Sequence, residues 1–393
     1  MDNFRLRLYT DIVFGKGAEA QAGKKIREYG GTKVMLVYGG GSIKRSGLYD
    51  IVVKSLQEEG LAFIELSGVK ANPLLSVVYQ GIETAKQEGV DFFLAVGGGS
   101  AIDTAKGIAL GMAYDGDVWD FYSKKRVPTQ MYPVGVIHTI SAAGSETSRS
   151  TVLVRDKDHF KSGNMGENNR PIFALMNPEW TYTLPAFQTA AGAADIIAHV
   201  FERYFFPHDS YLGDQFSEGV MRTVVRYAPI AIQEPDNYEA RAELMLAGAF
   251  AHNDIAGIGN RDKLQDGNCH RLEAQMSGNF DTTHGAGLAV VMPAWLEYVA
   301  QRGDHAQLVN FAVNVFGVEN NPSDSLGVAL EGARRFRKWL TGIGMPATLT
   351  ELGIPKDKLP ELLEKAAPKD GATVGTHFPL DARDFERIYN MVL

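Results

Sequence analysis

Four side chains between residues 195 and 284 have the types and spacing from which a metal centre can be assembled. Asp195-Ile-Ile-Ala-His199 lies in a helical pattern, and a spacing of four residues puts the carboxylate and the imidazole on one helix face. Alone, such a pair more often marks a local hydrogen bond or a solvated face. Weight comes from His270 and His284, which stand in an otherwise apolar stretch where a buried imidazole needs a partner. On one unbroken helix these two would be roughly 21 Å apart, so the helix must stop between them. Gly278-Asn279 is the expected stop. Three imidazoles and one carboxylate suit a divalent ion such as Fe(II) or Zn(II), and ligand softness does not choose between them.

Other residue types narrow the chemistry. Cys269 is the only cysteine, which excludes an intramolecular disulfide and a multi-thiolate metal site. Its position beside His270 reads as packing rather than nucleophilic chemistry. His138, His159, His208, His252, His305 and His377 have no comparable neighbour pattern and read as structural or surface residues, His377 in Thr-His-Phe-Pro being the best exception.

Three glycine- or hydroxyl-rich segments each follow an apolar run. Asp91 to Val96 leads into Gly97-Gly98-Gly99-Ser100 and then the helical pattern Ala101-Ile-Asp103-Thr-Ala-Lys106. Residues without Cβ let a diphosphate approach the backbone, and the following helix offers free N–H groups. A bare strand-to-helix turn is the alternative, and the segment is not the G-x-G-x-x-G fingerprint. The second segment, Tyr38-Gly39-Gly40-Gly41-Ser42, precedes Lys44 and Arg45 and ends without a carboxylate. An acid at that point binds the ribose hydroxyls of NAD, so its absence beside two cations favours NADP. Thr139-Ile-Ser141-Ala-Ala-Gly144-Ser145-Glu146-Thr147 offers small hydroxyl groups suited to a phosphate or a nicotinamide amide, or to ordinary loop bonding.

The elements that must position these residues follow from periodicity. Apolar runs at Lys33–Tyr38, Ala62–Leu66, Asp91–Val96, Tyr132–Ile137 and Ile172–Met176 alternate with helical patterns at Leu48–Glu59 and Leu74–Glu88. That rhythm predicts an open α/β sheet. After Thr183-Leu184-Pro185, Ala-, Leu- and Met-rich patterns at Gln188–Phe206, Asp214–Ala228 and Tyr238–His252 predict a helical second domain, giving domains 1–182 and 183–393. The length, 393 residues, agrees with two domains. A net charge of -8 without basic clusters argues against nucleic acid. No stretch has the length or composition of a signal peptide or a membrane span, so a cytoplasmic protein is expected.

These motifs resemble the iron-containing, group III alcohol dehydrogenase family, in particular its butanol dehydrogenases and NADPH-dependent aldehyde reductases. The resemblance runs from Ile12-Val-Phe-Gly-Lys-Gly17 through Tyr38-Gly-Gly-Gly-Ser-Ile-Lys44, Asn72-Pro73, Gly97–Lys106 and Thr183-Leu-Pro185 to His284-Gly-Ala-Gly-Leu-Ala289 and Gly342-Ile-Gly-Met-Pro346. It implies the dehydroquinate synthase-like fold, an α/β nucleotide domain followed by an all-α domain, and a metal held by Asp195, His199, His270 and His284. It also implies a cofactor cleft that uses Gly39, Gly40, Ser42, Asn72, Gly98, Gly99, Ser100, Asp103, Thr139, Ser141 and Lys161. Asp103, His270 and His284 are the implied catalytic residues, and a homodimer the implied assembly. Two departures stand out: Ala274 replaces the second His that many relatives carry one helical turn after the ligand, and Ser148 stands where Asn is frequent. The first removes a proton carrier, leaving water, the ribose hydroxyls or another residue to exchange the proton.

The expected reaction is reduction of small aldehydes with NADPH, NADH also being accepted. A metal- and NAD-using lyase or synthase on the related fold is the alternative, with Arg203, Arg261, Lys263 and Arg271 as cations for an anionic substrate. A polyol dehydrogenase stays open beside it.

Overall fold

A computed structural model describes residues 3–205, 210–259 and 267–393. His208, Arg261 and Lys263 therefore lie outside the described residues. Two compact units are present, Arg7–Thr183 and Leu184–Leu393, the second taking in the few residues before Arg7 as well.

The first unit is built on a parallel sheet. Its strands are β1 (Asp11–Phe14), β2 (Lys33–Tyr38), β3 (Ala62–Leu66), β4 (Phe92–Gly97), β5 (Val134–His138) and, after a β6–β7 hairpin (Ser150–Arg155 and Phe160–Met165), β8 (Phe173–Met176). Their spatial order is β1-β8-β5-β4-β2-β3. The helices between them are α1 (Ala22–Glu28), α2 (Ser42–Arg45), α3 (Leu48–Glu58), α4 (Leu75–Glu88), α5 (Gly99–Met112) and α6 (Trp119–Tyr122). Val34, Leu36 and Tyr38 alternate along β2 and pack on Ile26, Val52 and Leu56 of α1 and α3. Met35, Val37, Phe93 and Ala95, on the opposite face, are buried too, as expected of a parallel sheet covered on both sides.

From β2 the chain moves outward to β3, then returns through α4 to place β4 on the other side of β2. The direction of winding thus reverses between β2 and β4, and crevices at such switch points bind ligands beyond the carboxyl ends of the strands. The Gly39 and Gly97 segments follow these two neighbouring strands, and Thr139 follows β5, the next one.

The five expected strands are all present. Strand β1 and the β6–β7 hairpin, absent from the sequence reading, add to them. β1 is short and half-buried throughout, so it lacks the alternation that marks a strand. The hairpin is antiparallel and turns at His159, whose φ is 54°.

The second unit is helical: α7 (Ala186–Tyr204), α8 (Tyr211–Gln233), α9 (Tyr238–Ala251), α10 (Asn268–Phe280), α11 (His284–Ala300), α12 (Ala306–Asn314), α13 (Ser325–Gly342), α14 (Leu359–Ala366) and α15 (Ala382–Asn390). Its core joins Ile196, Val200 and Phe201 of α7 to Val291 and Trp295 of α11 and Phe336 of α13. Contrary to expectation, Gly278-Asn279 does not end α10. Gly278 is buried inside the helix, and the stop comes at Asp281, whose φ of 51° turns the chain out of the helical path.

Where α11 passes α7 the backbones nearly touch: a Cβ built on Gly285 would lie 1.9 Å from the carbonyl oxygen of Ala191. Replacing Gly285 by Ala should force the helices apart at a cost of about 1–3 kcal/mol, lowering the calorimetric melting temperature by several degrees. Gly219→Ala in α8, where a Cβ meets nothing within 4 Å, should leave it unchanged or raise it slightly.

Candidate functional site

In the helical unit α7 supplies Asp195 and His199, α10 supplies His270, and α11 supplies His284 as its first residue. Oδ1 of Asp195 lies 3.3 Å from Nε2 of His199, 3.9 Å from Nε2 of His270 and 3.7 Å from Nε2 of His284. Tetrahedral ligands around a divalent ion at ordinary bond lengths are roughly 3.3 Å apart, so the spacing suits such an ion. Ligand atoms of Asp195, His199 and His270 all fall within 4.8 Å of one another. Among the described residues, Asp195 Oδ1 and the Nε2 atoms of His199 and His270 have no hydrogen-bond partner although they are buried. Buried polar atoms without partners are costly, and a cation among them would remove that cost.

Two carboxylates that the sequence reading missed orient the rings. Glu202, one turn beyond His199 on α7, accepts the backbone N–H of His270 at 2.8 Å and lies 2.9 Å from its Nδ1. Glu273, one turn after His270 on α10, pairs with Nδ1 of His284. Each carboxylate fixes a neighbouring imidazole with Nε2 aimed inward, the usual outer support of a metal-binding histidine. Following the faces of the two helices beyond Asp195, His199 and His270 would have found both.

His252, read as a bystander, is corrected: its ring stacks on His199 with centroids 3.9 Å apart. Burial, assisted by His252, holds His199 well below the usual imidazole range, so its ring is neutral and its lone pair available. Desolvation lowers His270 as well, but Glu202, with Asp195 and Glu273, outweighs it and raises this half-buried imidazole. His377, the exception proposed from sequence, instead pairs with Asp304 at 3.1 Å. Cys269 is buried. Arg203 donates to the carbonyl of His199 at 2.6 Å, so this cation is turned to the backbone.

In the α/β unit the candidate nucleotide residues fall on four loops, the first turns of α5 and the hairpin. Helix α5 starts at Gly99 without a side-chain cap, leaving first-turn N–H groups of Gly99 and Ser100 open to an anion. A Cβ on Gly98 would meet Ile140 at 2.8 Å, and one on Gly39 would meet the carbonyl of Val69 at 3.3 Å, so glycine keeps the loops close-packed; Gly40 faces open space. Ser42 opens α2, and Thr139 donates its N–H to Gly97 at 3.1 Å, tying two loops together. Ser141 is half-buried in the third loop. Lys161 on the hairpin reaches Asn72 at 3.2 Å, which brings two residues far apart in sequence to one place.

Asp103 has both oxygens engaged by protein, with Ser145 Oγ at 2.7 Å and the N–H of Val152 at 3.1 Å; this geometry positions the third loop and the hairpin. Beneath it Lys106, fully buried, donates to the carbonyls of Ser145, Ser148 and Ser150 and to Ser145 Oγ within 3.0 Å. Burial draws Lys106 down to about 8, with Asp103 and Glu146 opposing.

One expectation about the second loop is amended. Although β2 ends without an acid, the neighbouring strand β3 places Glu65 there, bonded to Tyr38 and Tyr49 and 3.2 Å from Lys44.

Glu202→Gln and Glu273→Gln should each weaken divalent-metal binding by roughly 10–100-fold, measured by chelator competition, with the helical content intact. Equal affinity in both variants would show that the carboxylates do not support the ligands.

Comparison with known proteins gives this geometry a family. Residues 10–178 match the model described as iron-containing alcohol dehydrogenase, and residues 189–393 match the C-terminal model of the Fe-containing alcohol dehydrogenase family. NADH-dependent butanol dehydrogenase A of Clostridium acetobutylicum is 40% identical over 390 residues, covering 99% of each chain. The NADPH-dependent aldehyde reductase YqhD of Escherichia coli is 32% identical over 400 residues, again covering 99% of each. The crystal structure of NADH-dependent butanol dehydrogenase A from Thermotoga maritima shares the fold with a TM-score of 0.95 at 36% identity, covering 100% of this chain and 99% of that one. These relatives divide between NADH and NADPH, and none is named as a lyase or synthase. With both family models matched in order along almost its whole length, the chain belongs to the iron-containing alcohol dehydrogenase family, as an NAD(P)-dependent alcohol and aldehyde oxidoreductase.

Proposed function

We propose that the chain reduces small aldehydes of the butanal class to primary alcohols, using Asp195, His199, His270 and His284 to hold one divalent ion, Fe(II) or Zn(II). The observation that carries this reading is the convergence of their ligand atoms, three of them buried without a protein partner. When bound, the ion supplies Lewis acidity toward the substrate oxygen and the nicotinamide supplies the hydride. Glu202 and Glu273 keep the imidazole rings of His270 and His284 in the required orientation. Gly98, Gly99 and Ser100 receive the diphosphate at the start of α5, while Gly39, Gly40 and Ser42 face the adenosine ribose. Asn72, Thr139, Ser141 and Lys161 bound the remainder of the cofactor, and Asp103 holds the loop that carries Ser145.

Aldehyde reductase and butanol dehydrogenase names among the relatives support the substrate class. Among the described residues no helix is long and apolar enough to cross a membrane, consistent with action in the cytoplasm. Strand β1 lies at a sheet edge, which supports pairing between two subunits in a homodimer.

The test is oxidation of NADPH and NADH by butanal, first with metal-free protein and then after anaerobic addition of Fe(II) or Zn(II). Activity is expected only with metal, and His270→Ala should lower kcat/KM by roughly 1,000-fold. Metal-loaded protein that binds nucleotide yet never oxidises it would overturn the reading.

A further inference from the structure

The structure shows an acid at the ribose end of the nucleotide loops, but not in the place where an acid ordinarily selects NAD. Glu65 is on β3, beside the end of β2, and three groups already occupy its carboxylate. Tyr38 Oη donates to Oε2, Tyr49 Oη donates to Oε1 at 2.6 Å, and Lys44 Nζ lies 3.2 Å from Oε2. A carboxylate has about four lone-pair sites, so little capacity is left for ribose hydroxyls. Lys44 is held from a second side as well, its Nζ lying 4.4 Å from the centre of the Tyr49 ring and 5.4 Å from that of Tyr38.

Lys44 comes two residues after Ser42, in the segment that would meet a 2′-phosphate, and its charge is matched by Glu65 before any nucleotide arrives. Arg45 is exposed and has no carboxylate partner among the described residues. The local sum of Lys44, Arg45 and Glu65 is one positive charge where the sequence alone shows two. That sum attracts a 2′-phosphate only weakly and leaves an unphosphorylated ribose unpenalised.

The geometry points to Glu65 as the residue that sets cofactor selectivity, by neutralising Lys44 so that the loop takes both NADH and NADPH. It acts through Lys44 and is a positioning residue. This inference rests on the oxidoreductase reading above, since it presumes that the loops bind a nicotinamide dinucleotide.

The experiment measures binding rather than turnover. Dissociation constants of ADP-ribose and 2′-phospho-ADP-ribose are determined by calorimetry for the wild-type chain, Glu65→Gln, Lys44→Met and the double variant. Wild-type protein should bind the two within about tenfold of each other. Freeing Lys44 in Glu65→Gln should tighten the 2′-phosphorylated ligand by roughly tenfold, the scale of one charge pair at a partly exposed site, with ADP-ribose nearly unchanged. Lys44→Met alone leaves the charge of Glu65 unmatched and should weaken the 2′-phosphorylated ligand by roughly tenfold, whereas in the Glu65→Gln background it should remove the whole gain and restore the wild-type ratio, a reversal that general loosening of the loop would not produce. An unchanged ratio in Glu65→Gln, or a gain that survives in the double variant, overturns the proposal alone. No binding of either ligand by the wild-type chain overturns both the proposal and the reading beneath it.

Discussion

The helical unit depends on one close approach, that of the Gly285 backbone to the Ala191 carbonyl. Only glycine allows it, because a Cβ would sit 1.9 Å from that oxygen. Ala191 lies one turn before Asp195 and Gly285 directly follows His284, so the contact fixes the distance between two of the candidate ligands. The alanine-rich start of α7 has the same purpose: Ala190, Ala191, Ala193 and Ala194 are all buried and keep that face thin. The stop at Asp281 then decides where α11 begins. Three residues, Asp281 to Thr283, separate the helices, and the first residue of the new helix is a candidate ligand.

Around this frame each helix orients a ligand that belongs to the next. α7 carries Glu202 against His270 of α10, and α10 carries Glu273 against His284 of α11. Asp195, Glu202 and Glu273 are all buried, and His199 is neutral. Three buried carboxylates beside the neutral ring of His199 gather negative charge, which a divalent cation offsets. The guanidinium of nearby Arg203 is bonded to the carbonyl of His199, and its charge also favours the ionised form of Glu202.

Much of this could be read from the residues, for identifiable reasons. Asp195 and His199 share a helix face by spacing alone, and the inner strands β2, β4, β5 and β8 are mostly apolar, buried runs. The helix stop was misplaced because Gly278 looks like a terminator, whereas Asp281 ends the helix through a left-handed backbone that its residue type only permits. Glu65 escaped notice because the sequence places it 27 residues after Tyr38, and only strand pairing puts the two side by side. His252 escaped because a single histidine carries no pattern; its stacking on His199 depends on where the chain goes after α9.

The two units hold their candidate residues by different physics. In the helical unit, packing of small residues sets the positions and carboxylates refine them. In the α/β unit the strands deliver three loops to one edge, but regular structure ends there, and a loop has no ladder to define it. Lys106 and Asp103 take that part. One buried ammonium gathers the carbonyls of Ser145, Ser148 and Ser150, while one carboxylate takes the hydroxyl of Ser145 and the N–H of Val152. Because both groups are on α5, the helix proposed to receive the diphosphate also dictates the shape of the loop after β5. On that proposal phosphate binding and loop geometry share a single rigid element, and the glycines between them provide close backbone approach without having to hold the shape.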